Sequence, residues 1–217
     1  MLLEIRDAPP FYKNGYLLGC EQTREGVIID PGDEVEQLLR VADEHDLAIQ
    51  CILLTHAHVD HVSGIDRAKA ASGAAVYLHR DDLPLYQAIP QQAALFGLDV
   101  RQPPPIDRFY DLSEPIAFGT CELQVLHTPG HTPGGVSLLA REGGQPARKV
   151  FVGDTLFAGS IGRTDLPGGN YDTLIGSIRG VLFKLGDEVE VYSGHGPKTM
   201  IGQERRTNPF LTTGTGR

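Results

Sequence analysis

The sequence predicts an α/β fold in which two similar halves pack two β-sheets between helices. Three observations carry that expectation. The order of elements runs β-rich, then α/β, then β-rich again, then α/β. The strand between the first two helical stretches, Ile49–Leu54, is a short continuous apolar run, as a strand covered on both faces must be. Composition does not shift along the 217 residues, and no short internal repeat interrupts them. Hydrophobic residues make up 41% and charged residues 22%, the mixture of an ordinary folded chain. A chain of this length can bury a substantial core without disulfide or metal staples, so residues 1–217 are expected to form a single domain.

Element by element, strands are expected at Leu2–Arg6, Gly15–Cys20 and Val27–Asp30, separated by Pro9-Pro10, Lys13-Asn14-Gly15 and Pro31-Gly32. Asp33–Asp46 carries Val35, Leu38, Leu39 and Ala42 at helical spacing. After the strand Ile49–Leu54, His61–Ser72 reads as helix, Ala75–Leu78 as strand, and Asp81–Phe96 as helix interrupted by Pro84 and Pro90. Pro103-Pro104-Pro105 reads as a surface connection. The second series predicts strands at Pro115–Phe118, Glu122–His127, Gly135–Ala140 and Lys149–Val152. It continues with a helix over Tyr171–Leu185, a strand at Val189–Tyr192 and a final helix or turn over Lys198–Arg206.

Charge narrows the range of partners. A net charge of −9 argues against a broad nucleic-acid surface, which needs clustered Lys and Arg. No apolar run approaches the ~20 residues of a membrane span, and Met1-Leu2-Leu3-Glu4-Ile5-Arg6 lacks the pattern of a signal peptide. The expectation is a cytoplasmic protein acting on a small molecule, with no nucleic-acid or membrane partner and an open oligomeric state. Cys20, Cys51 and Cys121 are few, far apart and set in or beside apolar stretches, so they read as reduced core residues.

The chemistry concentrates at Thr55-His56-Ala57-His58-Val59-Asp60-His61, where four metal-binding side chains come directly after a buried strand. A chain leaving a strand end can aim such groups into the crevice where α/β sheets place ligands. Left unused, that cluster would be an expensive set of polar groups to bury. Three further strands end the same way. Gln124-Val125-Leu126 leads towards Gly130-His131, Val150-Phe151-Val152 into Gly153-Asp154, and Val189-Glu190-Val191-Tyr192 into Gly194-His195. Imidazole and carboxylate suit zinc, iron or manganese without any thiolate, and zinc is the metal expected first. His45 reads as part of a solvated helix, and His79 and His127 as local hydrogen-bonding residues.

The pattern His56-x-His58-x-Asp60-His61, then His131, Asp154 and His195, resembles that of metallo-β-lactamase-fold hydrolases over nearly the whole chain. The resemblance implies an αββα sandwich, two mixed sheets between helices, with the site at one edge. It implies that His56, His58 and His131 hold one divalent cation, that Asp60, His61 and His195 hold a second, and that Asp154 bridges them. Asp60 and Asp154 then belong to the catalytic centre, where a metal-held hydroxide forms. Asp30 matches the aspartate that family members place behind a ligand.

Within that fold, Phe157-Ala158-Gly159-Ser160-Ile161-Gly162-Arg163-Thr164-Asp165, Gly194-His195-Gly196-Pro197 and Glu204-Arg205-Arg206-Thr207-Asn208-Pro209-Phe210 are similar to stretches of short bacterial glyoxalase II-like proteins. That resemblance implies a thioesterase cleaving S-D-lactoylglutathione or a related acyl thioester, without the C-terminal helical domain of the long type. Nucleases of this fold carry added domains and basic surfaces, flavodiiron proteins a flavin domain, and secreted β-lactamases a signal peptide and a different second metal site. Arg163, Lys198 and Tyr171 are the candidates for meeting a substrate, Arg163 through a bidentate pairing with a carboxylate. Three alternatives stand beside the thioesterase. One is a glutathione-persulfide dioxygenase with a single iron held by the equivalents of His56, His58 or His131, and Asp154. The others are a lactone or ester hydrolase and a metal-binding scaffold without turnover.

Overall fold

The computed structural model describes residues 1–212. In the first half, β1 (Leu2–Arg6), β2 (Gly15–Gly19) and β3 (Glu25–Ile29) form an antiparallel meander. β4 (Ala48–Leu53), β5 (Ala75–Leu78) and β6 (Arg108–Phe109) then add in parallel, in the order β1-β2-β3-β4-β5-β6. The connections carry α1 (Val35–Glu44), α2 (Val59–Val62), α3 (Ile65–Ser72), α4 (Leu83–Gln87) and α5 (Ile89–Leu95).

The second half repeats the scheme. β7 (Ile116–Phe118), β8 (Cys121–His127), β9 (Val136–Glu142) and β10 (Lys149–Gly153) form the meander. A small hairpin, β11 (Leu156–Phe157) and β12 (Ser160–Ile161), and then α6 (Tyr171–Gly180) come next. β13 (Glu190–Ser193) returns parallel to β10, and β14 (Thr199–Met200) closes the sheet antiparallel to β13. α7 (Ile201–Thr207) and α8 (Pro209–Thr212) end the described chain. Each sheet is therefore mixed, and helices cover both outer faces: the αββα sandwich expected from the sequence.

Period-two alternation assembles the layers. Val27 and Ile29 of β3 and Cys51 and Leu53 of β4 point between the sheets, meeting Leu123, Val125, Leu138 and Phe151 of the second sheet. Their neighbours face outwards: Ile28 packs under Leu38, Val41 and Ala42 of α1, and Ile52 under the α2–α5 layer. Val150, Val152, Val189 and Val191 do the same beneath Leu174 and Ile178 of α6. Each such aliphatic side chain, once fully buried, contributes roughly 1.5–3 kcal/mol relative to exposure. Cys20, Cys51 and Cys121 are free and buried, as their apolar settings suggested.

Several boundaries differ from the expectation for physical reasons. The helix expected over His61–Ser72 breaks at Ser63-Gly64, because Gly64 packs against the Pro31-Gly32 turn: its N–H donates to the Pro31 carbonyl at 3.0 Å, and a Cβ there would overlap the Gly32 carbonyl. Pro84 and Pro90 do not interrupt one helix; each lies in the first turn of its own, α4 and α5, where a missing N–H costs nothing. Pro103 is buried rather than part of a fully exposed connection. The expected helix over Lys198–Arg206 starts as strand β14, and Tyr171–Leu185 tightens into a 3₁₀ turn after Gly180. The very short strands β6, β11 and β12 carried too few residues to show a period. His45 ends α1 half-buried.

Candidate metal centre

Strand geometry delivers the site. β4, β8, β10 and β13 all end at the same edge of the sandwich, and the loops leaving them carry His56–His61, His131, Asp154 and His195. The structure brings all seven side chains together. His56, His58 and His131 form one group, Asp60, His61 and His195 another, and Asp154 joins His56 and His61 between them, with ligand atoms within 4.8 Å in each group. Asp154 faces both sides: Oδ1 lies 3.4 Å from His61 Nε2, while Oδ2 lies 3.7 Å from both His131 Nε2 and His195 Nε2. Asp60 Oδ2 is 3.0 Å from His195 Nε2 and 3.6 Å from His61 Nε2. His195 is partly open, with 34% of its side chain exposed, against 14% for Asp60 and 13% for Asp154.

Surrounding hydrogen bonds fix which nitrogen points inwards in three of the five rings, His61, His56 and His131. Asp30 accepts from Thr55 N (2.7 Å), Thr55 Oγ1 (2.6 Å) and His61 Nδ1 (2.9 Å). A carboxylate only accepts, so His61 carries its proton on Nδ1 and turns Nε2 to the centre. The Thr55 hydroxyl, committed to Asp30, accepts from His56 Nδ1 at 3.1 Å and leaves His56 Nε2 bare. The Arg163 carbonyl accepts from His131 Nδ1 at 2.7 Å. Asp30, expected behind a ligand, stands behind His61, buried and at φ +50°, a left-handed conformation that Asp adopts more readily than most side-chain-bearing residues.

Two structural supports were not read from the sequence. The buried Asp82 carboxylate accepts from Ala57 N (3.0 Å), Thr132 Oγ1 (2.9 Å) and Gly134 N (2.6 Å), tying the His56–His58 loop to the His131 loop. Gln92 adds bonds to the Val59 N–H and the Ala57 carbonyl. A second acidic residue in Arg80-Asp81-Asp82 gives no local sign of this role. His79 and His127 stack at 4.3 Å, with His127 Nε2 donating to the Pro133 carbonyl and His79 Nδ1 accepting from the Asp81 N–H; with Asp81 they also form a group whose ligand atoms lie close enough to hold a metal ion.

Arg163 pairs bidentately with Asp165 at 2.8 Å, and Lys198 with Glu190 at 2.5 Å, while Tyr171 is exposed at the start of α6.

The donor set fits divalent cations. His56 Nε2, His61 Nε2 and Asp154 Oδ1 are buried with no hydrogen-bond partner, an arrangement costly to leave unmatched. His58 Nδ1 and His131 Nε2 approach to 2.9 Å, near the ~3.3 Å separating two imidazole ligands on one tetrahedral zinc. Electrostatics agree. Burial, reinforced by neighbouring imidazoles, holds His56 well below its ordinary range and lowers His58 to about 3, leaving both neutral as ligands must be. Burial would lower His61 too, but Asp60, Asp30 and Asp154 outweigh it and raise the ring to about 10. Burial opposes ionisation of Asp60 and Asp154, yet the imidazoles, His61 foremost, hold both carboxyls below their usual range.

These shifts give a pH signature for metal-free protein. His61 is raised from 6.5 to about 10, so its stabilising contribution is complete below pH 6.5 and lost as pH climbs through 10. His56 and His58, both lowered, act oppositely: their stabilising contribution is present above 6.5 and lost as pH falls through their lowered range, which for His58 lies at about 3. Thermal unfolding of the stripped protein should therefore show highest stability between these limits, with Tm falling towards pH 10. Cation-loaded protein should lack the alkaline fall, because a cation displaces the His61 proton. A flat apo profile between pH 7 and 10 would contradict the electrostatic picture.

A donor cluster of this composition, set at the shared edge of an αββα sandwich, defines a class of metal-binding hydrolase folds. The metallo-beta-lactamase superfamily model matches residues 8–195, and the chain belongs to that superfamily. It is 39% identical over 215 residues to hydroxyacylglutathione hydrolase GloC of Haemophilus influenzae, spanning 98% of this chain and 99% of that protein. Among solved structures it is similar to BLEG-1 B3 metallo-beta-lactamase (TM-score 0.87, 37% identity, 97% of this chain and 100% of that one). It is also similar to TTHA1623 in a di-iron-bound form (TM-score 0.84, 41% identity, 96% and 100%). Among the described residues no helix is long and apolar enough to cross a membrane.

Proposed function

We propose that the chain is a dinuclear metal-dependent hydrolase of the glyoxalase II-like type, cleaving S-D-lactoylglutathione or a related acyl thioester. The observation that carries this reading is the Asp154 carboxylate turned to both sets of imidazoles, with a complete donor set on each side. Near-full-length similarity to a protein named hydroxyacylglutathione hydrolase supports the substrate class. His56, His58 and His131 would hold one cation, Asp60, His61 and His195 the other, and Asp154 both; zinc suits these donors, and iron and manganese fit them too. When bound, such a pair lowers the pKa of water towards ~7 and polarises a carbonyl oxygen.

The chain's own groups supply the rest. Asp30 and Thr55 keep the His61 and His56 rings in one tautomer, so their inner nitrogens need no reorientation during turnover. Asp82 keeps two histidine loops at fixed separation. A thiolate leaving group, with a parent pKa near ~8.5, departs without a strong acid, and this chemistry needs none beyond the groups named. Arg163 and Lys198 would meet a substrate carboxylate by exchanging Asp165 and Glu190 for it.

The test pairs two assays with metal analysis. Protein purified without added metal should hold about two cations per chain and hydrolyse S-D-lactoylglutathione. Oxygen consumption with glutathione persulfide, one iron per chain and an untouched thioester would overturn the reading in favour of a dioxygenase. Turnover of lactones or simple esters alone would move it to another hydrolase class, and metal uptake without any turnover to a scaffold.

A further inference from the structure

Lys13 is a fully buried lysine, 1% exposed, at the back of the metal centre. A buried ammonium is costly unless paired, and this one has two acceptors. Its Nζ donates to Glu34 Oε1 at 2.8 Å and to the backbone carbonyl of Asp30. Glu34, equally buried, also accepts from Gly32 N at 2.9 Å, and a Cβ on Gly15 would overlap its carboxylate. The pair therefore sits in a cradle that excludes other side chains.

Lys13 touches the centre at both ends. Through its side chain it holds the carbonyl of Asp30, the residue at φ +50° whose carboxylate orients His61. Through its backbone it forms an antiparallel bridge with His195 itself. The bridge is continued by Asn14, whose N–H donates to the Gly194 carbonyl at 2.7 Å and whose amide donates to the Ser193 and Gly196 carbonyls. His61 and His195 are the two imidazoles of the Asp60 group; of the other group only His56 is reached, one bond further on through Thr55, and none of these bonds reaches His58 or His131.

We infer that Lys13 is a positioning residue chiefly for one cation site, that of Asp60, His61 and His195, and so sets the affinity of the second cation relative to the first. The inference rests on the two-cation reading of the centre. Losing an outer partner of a metal ligand, as Asp30 would be for His61, typically weakens binding ~10–100-fold, and Lys13 acts one bond behind it, at the lower end of that range.

The test titrates metal-stripped full-length protein with Co(II), following heat and the visible d–d bands. Wild-type protein should bind in two steps. In Lys13→Met the first step should stay within ~3-fold of wild type while the second weakens by ~10-fold or more. Lys13→Met/Glu34→Gln removes both charges and keeps an acceptor for Gly32 N. It should regain apo thermal stability without regaining the second step, and it carries the test if the single variant does not fold. Wild-type-like binding of both ions in Lys13→Met, equal weakening of both steps, or recovery of the second step in the double variant would overturn the proposal. A single Co(II) on wild-type protein would overturn the two-cation reading, and this inference with it.

Discussion

Asp154→Ala should leave the chain with at most one tightly held cation and reduce thioester turnover by at least ~10²-fold, the upper end of what losing even an outer partner of a ligand costs. The expectation comes from charge. Two divalent cations ~3.5–4 Å apart repel by on the order of 15–20 kcal/mol even at an effective dielectric of about 20. Something negative must stand between them, and among the described residues Asp154 is the carboxylate that faces both imidazole groups. Its Oδ1 is buried without a hydrogen-bond partner and has the His61 ring 3.4 Å away, the position a cation would share. Asp154→Asn separates charge from shape: it should keep the fold and fail to retain the second cation. Metal analysis after gel filtration reads both variants. Two tightly retained cations in Asp154→Ala would refute the bridging role.

Much of this arrangement was legible in the sequence because burial and chemistry coincide along single strands. Val150–Val152 is apolar on both faces and Val189–Tyr192 is apolar but for Glu190, so the residues after each strand must leave the core at the sheet edge. Gly153-Asp154 and Gly194-His195 do so, at the edge where His56–His61 also lies. The supports behind the site were not legible, for an equally physical reason. Lys13, Asp82 and Gln92 act on residues far away in sequence, through hydrogen bonds that leave no period in their own segments. Lys13 lies in Lys13-Asn14-Gly15, which by composition reads as a turn, yet its ammonium is buried. The break at Ser63-Gly64 belongs to the same class: local helical spacing continues through it, and contact with Pro31-Gly32, over thirty residues earlier, decides otherwise. Helix patterning reports what a segment buries, not which turn passes against it.

Gly194→Ala should cost nearly as much activity as losing a ligand while leaving the fold in place. The position asks nothing unusual of the backbone, since its φ lies outside the left-handed region, so alanine adds no conformational strain. The cost is spatial. An alanine Cβ would overlap Asp154 Oδ1 and stand 2.6 Å from His61 Cε1 and 3.1 Å from His61 Nε2, inside the volume the donors share. Neither the His61 ring nor the Gly194 backbone can yield freely: Asp30 holds the ring, and Gly194 is pinned by its N–H to the Gly153 carbonyl at 2.8 Å and by its carbonyl to Asn14 N. The carboxylate must swing away from one imidazole group, and displacements of ~1 Å at a reacting centre cost about 10²-fold. Gly176→Ala is the matched control: it sits in α6 with open space around it, where the same methyl should stabilise by roughly 0.5–1 kcal/mol and leave turnover alone. Thermal unfolding, cation content and kcat measured on the two variants together separate the outcomes. Wild-type turnover in Gly194→Ala would mean that the donors converge elsewhere than at the shared edge, because Asp154 and His61 as they stand leave no room for that methyl.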